Sequence, residues 1–273
     1  MIEKYLNTIT CGDSIELLKD IENNVIDLHI HSPPYSDIRD YGKCKGIHPD
    51  QYVDWYLPFA KEIYRTLRPD GSFILNINDK VQDGFRHNYV YELIYRLTKD
   101  IGFHLYERLI WNKGKSLCHP KRFRDSIEYI FWFTKSDDFY INLDAMRVPY
   151  NPISIKRMKN PIKKRYNRTI ANQDVKEYKE WSPNPLGALP STLVNIGSES
   201  RRISNINFAV YPERLPNYFI RGATKEGDLV CDIFSGSGTT CLAAKKLNRK
   251  FLGFDIEESA VKESLIRLNS DTL

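Results

Sequence analysis

The sequence predicts an α/β fold: a mostly parallel sheet with an antiparallel hairpin, interrupted by one long inserted region. Three observations carry that prediction. Short apolar runs alternate with stretches of helical periodicity at both ends of the chain. The run Asp228 to Phe234 leads into a glycine-rich turn, Ser235-Gly236-Ser237-Gly238, and then into a helical pattern. Between residues 145 and 206 the periodicity fades, and the composition becomes basic, Asn-rich and Pro-rich.

The elements follow in order. Tyr5 to Thr10 is a short strand candidate, and Gly12-Asp13-Ser14 is a turn able to cap a helix through Leu18 and Ile21. Val25 to Ile30 has the compact apolar pattern of a buried strand. Ser32-Pro33-Pro34-Tyr35 stops it, because proline donates no ladder hydrogen bond. That puts Ser32 to Tyr35 just past a strand's carboxyl end, the edge where open α/β sheets bind ligands. Residues 36 to 50 are polar and predict an exposed loop. Val53, Tyr56, Leu57, Ala60, Ile63, Tyr64 and Leu67 predict a helix from Tyr52, which Pro69-Asp70-Gly71 ends. Ser72 to Ile77 is a second buried strand, and Asn88 to Ile101 a helix with Val90, Leu93, Ile94 and Leu97 on one face. His104 to Trp111 and Ile127 to Thr134 are strands expected to pair antiparallel around the loop 112–126. Leu215 to Ala223 (helix), Asp228 to Phe234 (strand), Thr239 to Leu247 (helix), Lys250 to Phe254 (strand) and Glu257 to Leu268 (helix) close the pattern. His29 and His31 alternate along their strand, and both are expected as packed side chains rather than ligands.

Composition narrows the function classes. With 273 residues, 27% charged and 41% hydrophobic, the chain fits one large globular domain or two small ones, not a disordered or collagen-like polymer. No run approaches the roughly 18 apolar residues of a membrane span, and the first residues lack the apolar stretch of a signal peptide. Five cysteines without a C-x-x-C pair fit reduced thiols in a cytoplasmic protein. Cys44 with His48, and Cys118 with His119, lack structural-zinc spacing, so no metal is expected. The net charge of +5 is a weak pointer to an anionic partner. Its distribution says more: Arg147, Lys156, Arg157, Lys159, Lys163, Lys164, Arg165 and Arg168 fall in a stretch without an acid. That stretch suits either a solvated face or a surface that contacts phosphates.

Two constellations carry chemistry. The first is the strand–Gly loop–helix–strand run from Val230 to Asp255. Its glycines let a ligand approach the backbone, and Asp255, ending the next strand, is placed to accept from ribose hydroxyls. No Gly-Lys-Ser/Thr follows, so it is not a P-loop, and Cys241 stands where a dinucleotide fingerprint has its third glycine. The second is Ser32-Pro33-Pro34-Tyr35. An aromatic exocyclic amine is a poor nucleophile, because its lone pair is delocalised into the ring. Two acceptors on its hydrogens can hold the nitrogen towards tetrahedral geometry. Ser32 Oγ and the carbonyl of Pro33 or Pro34 could be that pair, with Tyr35 stacking on the base.

The pairing of Ser32-Pro33-Pro34-Tyr35 early with Phe234-Ser235-Gly236-Ser237-Gly238-Thr239-Thr240 late resembles the DNA amino-methyltransferases. Catalytic motif first and cofactor motif last is the order of their permuted beta group. Gly12-Asp13, Ser36 to Gly42, Arg68-Pro69-Asp70-Gly71, Trp111-Asn112-Lys113 with Glu128, and Phe208 to Leu215 also resemble that family. The resemblance covers about residues 1–145 and 207–268. It implies a Rossmann-like methyltransferase domain over 1–144 and 207–273, with 145–206 as a basic target-recognition insertion. It implies S-adenosylmethionine as cofactor, cradled by Phe234, Ser235, Gly236, Gly238 and Thr239, with Asp255 on the ribose and Asp13 at the adenine. It makes Ser32, Pro33, Pro34 and Tyr35 catalytic, acting on a base flipped out of double-stranded DNA. Arg39, Lys113, Lys156, Arg157, Lys163, Lys164, Arg165 and Arg168 are the expected DNA contacts. The serine that opens the motif favours cytosine N4 over adenine N6, and a separate cognate restriction endonuclease is an expected partner. Two other classes stay in view. A nicotinamide-dependent oxidoreductase would use the Gly loop alone, and a non-enzymatic DNA-binding protein would use the basic stretch alone.

Overall fold

The computed structural model describes residues 2–36, 46–114, 120–158, 183–197 and 211–270. It divides into two compact units, Met1–Asn142 with Thr192–Leu273, and Leu143–Ser191. In chain order the elements are β1 (Thr8–Cys11), α1 (Ser14–Lys19), β2 (Ile26–His31), α2 (Pro49–Thr66), β3 (Leu67–Ile77), β4 (Val81–Gln82), β5 (Phe85–Arg86), α3 (Tyr89–Arg96), β6 (His104–Asn112), β7 (Ile127–Thr134), α4 (Pro152–Met158), β8 (Leu193–Asn195), α5 (Arg214–Ala223), β9 (Leu229–Asp232), α6 (Thr239–Lys246), β10 (Lys250–Asp255) and α7 (Glu258–Ser270).

The larger unit is built on an eight-stranded sheet in the order β1-β10-β9-β2-β3-β7-β6-β8. Neighbours are parallel except at β7, which pairs antiparallel with both β3 and β6. The expected hairpin is therefore β6–β7, and β7 alone runs against the rest of this sheet. Alternation along the strands builds two layers of core. Phe73, Leu75 and Ile77 join Tyr52, Tyr56, Ile63 and Leu93 in a buried cluster under α1, α2 and α3. On the opposite face Trp132 meets Phe219 of α5 at 6.0 Å between centroids. There α6 packs on β9 and β10, and α7 on β1 and β10. His29 and His31 are fully buried on the α2 face, where their Nε2 atoms lie 2.9 Å from Thr66 Oγ1 and 2.7 Å from the Tyr56 hydroxyl.

Four details depart from the sequence pattern. A 3₁₀ turn at Ile2–Tyr5 precedes β1, and Asn7 at φ 58° breaks the extended run expected from Tyr5. β3 begins at Leu67 rather than Ser72; its register against β2 jumps between Ile26 and Leu28, so Arg68 to Gly71 bulge outward. α3 passes into a wider π turn at Leu97–Ile101, which Gly102 closes at φ 99°. Between β3 and α3 stands a small hairpin, β4–β5, turned by Asp83 at φ 50° and Gly84 at φ 85°. Positive φ at both central residues is the two-residue turn that matches strand twist.

The region expected as a 145–206 insertion is not all outside the sheet. Leu193–Asn195 forms β8 and pairs with β6 at Ile110 to Asn112. The smaller unit, Leu143–Ser191, has a Val148–Ala188 bridge and an Arg147 guanidinium that reaches Asp144 at 2.6 Å and the Gly187 carbonyl at 2.7 Å. Lys156 and Arg157 lie exposed on α4. Arg39, Lys163, Lys164, Arg165 and Arg168 lie outside the described residues.

Candidate active site

Parallel pairing brings the carboxyl ends of β1, β10, β9, β2 and β3 to one edge. On β9 the chain leaves the sheet at Asp232 and turns through Phe234 to Gly238 into α6. Gly236 at φ 49° and Gly238 at φ 75° take backbone shapes that side chains resist. They differ in surroundings. A Cβ on Gly238 would lie 2.8 Å from Ser264 Cβ, whereas one on Gly236 would meet nothing within 4 Å. Gly238 is thus needed for packing, and Gly236 faces open space. Arg267 holds the far side of the loop, donating to the Ser237 carbonyl at 2.6 Å and to Thr239 Oγ1 at 3.2 Å.

Asp255 ends β10 and is mostly buried. Its carboxylate accepts from the Gly236 N–H at 2.7 Å and the Glu257 N–H at 2.9 Å. Burial pushes its pKa up, against those backbone donors. So Asp255 shapes the loop as well as facing it, and each carboxylate oxygen keeps acceptor capacity. Asp13 is exposed and caps α1, accepting from the Ile15 N–H at 2.8 Å. It is brought beside Asp255, because Cys11 pairs with Asp255 in register and the Gly12 N–H donates to the Asp255 carbonyl.

The Ser32–Tyr35 side is built on β2, β3 and β7. The Ser32 hydroxyl donates to the Tyr35 oxygen at 3.0 Å, and the Tyr35 hydroxyl donates to Glu128 Oε2 at 2.7 Å. Lys113 Nζ lies 2.9 Å from Glu128 Oε1, and Asn76 Nδ2 donates to Oε2 at 3.0 Å. Lys113, expected at DNA phosphates, is therefore an ion-pair partner inside the site. The Tyr52 hydroxyl donates to the Pro34 carbonyl at 2.9 Å, and Pro33 is buried. Phe234 joins the two halves, its ring 5.3 Å from His31, 6.0 Å from Trp55 and 5.1 Å from Phe59.

The N6/N4 DNA methylase family model matches residues 26–266. The chain belongs to the N6/N4 DNA methylases. This methylase is 30% identical to the type II methyltransferase M.PvuII of Proteus hauseri, over 94% of its own length and 82% of that protein. It is 28% identical to M.BglII of Bacillus subtilis, over 95% of its length and 68% of the relative's. Among solved structures it resembles the PvuII DNA methyltransferase (cytosine-N4-specific), with TM-score 0.72 and 26% identity, covering 95% of this chain and 85% of that one. A DNA modification methylase of Thermus thermophilus, solved with S-adenosyl-L-methionine, shares the fold at TM-score 0.66 and 20% identity, covering 97% and 93% of the two chains. Membership excludes the oxidoreductase and the non-enzymatic readings.

The residues present in the methylase fit a nucleoside cofactor at the Gly loop. Ser235 Oγ is buried with no hydrogen-bond partner among the described residues, and the neighbouring Gly236 leaves open space where a side chain would stand. A buried hydroxyl without a partner is costly unless a ligand satisfies it.

Several residues of this methylase site are missing from the sequence reading. Asp232 is fully buried, accepting from the Phe234 N–H at 3.0 Å and from Thr240 Oγ1 at 2.5 Å. Desolvation raises its pKa to about 7. Its signal was an acid at the end of an apolar strand, immediately before the Gly loop. Tyr52 and Asn76 carry no such signal, since each occupies an ordinary position in an apolar pattern. Among the described residues no cluster of His, Cys, Asp and Glu could hold a metal, and no helix is long and apolar enough to cross a membrane.

Proposed function

We propose that this methylase transfers the methyl group of S-adenosylmethionine to the exocyclic N4 of a cytosine flipped out of double-stranded DNA. The observation that carries the amine chemistry is the direction of the Ser32 hydroxyl. Its proton is committed to Tyr35, so Ser32 Oγ offers lone pairs to an incoming amine. Tyr52 already takes one lone pair of the Pro34 carbonyl, which favours the Pro33 carbonyl as second acceptor. Two acceptors on the amino hydrogens orient the nitrogen lone pair out of the ring plane. Bound S-adenosylmethionine supplies a methyl group on a sulfonium, with the Gly loop, Ser235, Asp13 and Asp255 as its holders. The protein's contribution is in-line placement of the nitrogen against that methyl.

The methylated amine must then lose a proton. The amine proton passes to Ser32 Oγ as the Ser32 proton moves to Tyr35 and the Tyr35 proton to Glu128 Oε2. Lys113 and Asn76 fix the carboxylate while it waits. Tyr35 is thus assigned two roles, a ring for stacking and a hydroxyl in this path.

Cytosine is favoured over adenine by the serine that opens the motif, and by the likeness to a methyltransferase named cytosine-N4-specific. Residues 143–191 are assigned to target recognition, with Lys156 and Arg157 on α4 as phosphate contacts. Arg39, Lys163, Lys164, Arg165 and Arg168 keep the same assignment from sequence alone. A separate restriction endonuclease is the proposed biological partner, since the relatives M.PvuII and M.BglII are named type II methyltransferases. The test is a nucleoside digest of unmethylated mixed-sequence DNA after incubation with enzyme and S-adenosylmethionine. N4-methylcytosine is the expected product. N6-methyladenine overturns the choice of base, and an unmodified digest overturns the DNA reading.

A further inference from the structure

Two phenylalanines stand clear of the fold on the edge that holds the active site. Phe123 is 99% exposed and Phe85 79%. Phe85 follows the Asp83-Gly84 turn of the β4–β5 hairpin, which leaves the carboxyl end of β3. Phe123 lies on the loop that enters β7, whose Glu128 binds Tyr35. The two loops are tied together, because the Arg122 guanidinium donates to the Gly84 carbonyl. Arg86 anchors the hairpin from below through Asp79 and, at 3.4 Å, Asp125. The loops are held by backbone and ion-pair contacts, and the core does not take up the rings. Lys121, Arg122 and Arg124 flank Phe123, and Lys80 and Arg86 flank the hairpin. A cationic surface carrying projecting aromatic rings is complementary to a polyanion with a stacked apolar interior.

We propose that Phe123, backed by Phe85, enters the base stack of duplex DNA where the target nucleotide leaves it. This rests on the methylase reading above. A flipped base leaves a gap with two unstacked faces, and apolar side chains inserted at such steps offset the lost stacking. Phe123 is suited to the gap by position as well as chemistry. The chain from Phe123 to Glu128 spans at most about 18 Å at full extension, so the duplex that delivers a base to Ser32 lies within reach of the ring. Lys121, Arg122 and Arg124 give the Phe123 loop the excess positive charge that flanking phosphates attract, whereas Arg86 is spent on Asp79 and Asp125.

The experiment compares two duplexes built on the site that wild-type enzyme methylates. In one the target base is paired; in the other it faces an abasic position and flips at lower cost. On the paired duplex, Phe123→Ala is expected to lower kcat/KM by about 10- to 100-fold, the range for losing one base–aromatic stack. On the abasic duplex the loss should shrink by at least about tenfold. Phe123→Trp should restore the rate on the paired duplex, and a fluorescent base analogue at the target should report less flipping with Phe123→Ala. An equal loss on both duplexes, or none on either, overturns the proposal. So does self-association of the wild type that both Phe123→Ala and Phe85→Ala abolish, since the patch then belongs to a second copy of the chain. A wild-type enzyme that modifies no site in unmethylated mixed-sequence DNA, so that neither duplex can be built, instead overturns the DNA-substrate reading from which the proposal starts.

Discussion

Tyr35→Phe removes one hydroxyl and keeps the ring, so it separates the two roles assigned to Tyr35. The hydroxyl lies 3.0 Å from Ser32 Oγ and 2.7 Å from Glu128 Oε2. A hydrogen bond to a carboxylate contributes about 1.5–3 kcal/mol. Glu128 retains Lys113 and Asn76 in the variant, so the loss in folding stability should sit at or below the lower end of that range. Catalysis should suffer more. Without its acceptor, the Ser32 proton is free to point at the incoming amine, and turning it away costs about one neutral hydrogen bond, ~1 kcal/mol. The broken route to Glu128 adds a charge-assisted bond that matters most as the amine sheds its proton. Together they amount to about 2–4 kcal/mol, or roughly 30- to 1000-fold in kcat. Single-turnover methyl transfer at saturating cofactor and DNA measures this directly, with calorimetry for cofactor affinity. The cofactor Kd should stay within about twofold, because Ser32 and Glu128 belong to the β2–β3–β7 side rather than the Gly loop. A variant that turns over at the wild-type rate, or whose loss appears in cofactor affinity, refutes the reasoning.

Three further outcomes follow from the same geometry. Glu128→Gln keeps the shape but lacks the carboxylate, so single-turnover rates should fall by about 10²-fold or more; a rate within about threefold of wild type would remove Glu128 from the proton path. Asp255→Ala should weaken S-adenosylmethionine by about 10- to 100-fold, through the lost ribose acceptor and a loosened Gly236, and an unchanged Kd by calorimetry would refute the ribose assignment. Burial pushes Asp232 up to about 7, above its ordinary value of 3.8. The folded state therefore holds this proton more tightly than the unfolded chain does, and the stability tied to it is complete below pH about 4 and lost as pH rises towards 7. Urea melts of wild type should weaken across that window relative to Asp232→Asn, whose side chain does not ionise; parallel pH profiles would show that Asp232 does not titrate as described.

Most of the sheet was legible because its strands are short apolar runs bounded by turn residues. Ile26–His31, Leu229–Asp232 and Lys250–Asp255 fall where periodicity puts them. The misses have separate physical reasons. β8 has few residues, and Leu193 and Asn195 are exposed on it, so the strand leaves no apolar run and exists only because the β6 edge is there to pair with it. The β4–β5 hairpin did leave a signal, the Asp83-Gly84 pair favoured in two-residue turns, but its strands are two residues each, too short for alternation to support it. At the site, the motif residues were legible as a string and their couplings were not. Nothing in Ser32 to Tyr35 announces that Tyr35 hands its proton to a residue on β7. Lys113 has the look of a surface cation until its distance to Glu128 is known.

The arrangement also accounts for why the Ser32–Tyr35 motif can precede the Gly-loop motif in sequence. β2 and β9 are sheet neighbours, with Leu28 paired to Val230, and the Leu229 N–H donates to Asp27 Oδ2 at 2.8 Å across 202 residues of chain. In a parallel sheet both loops then emerge at the same edge, whichever strand comes first in sequence. The geometry needs adjacency, parallel direction and a filled contact between the loops, which Phe234 makes against His31, the residue before Ser32. The reverse strand is a separate requirement. Ser32 is acceptor-only because Tyr35 takes its proton, and Tyr35 is held by a carboxylate that only β7 carries. On the proposed proton path, β7 is then part of the chemistry as much as the two motif loops are. A chain with both motifs intact and Glu128 replaced by an apolar residue should still bind cofactor, yet transfer the methyl group slowly.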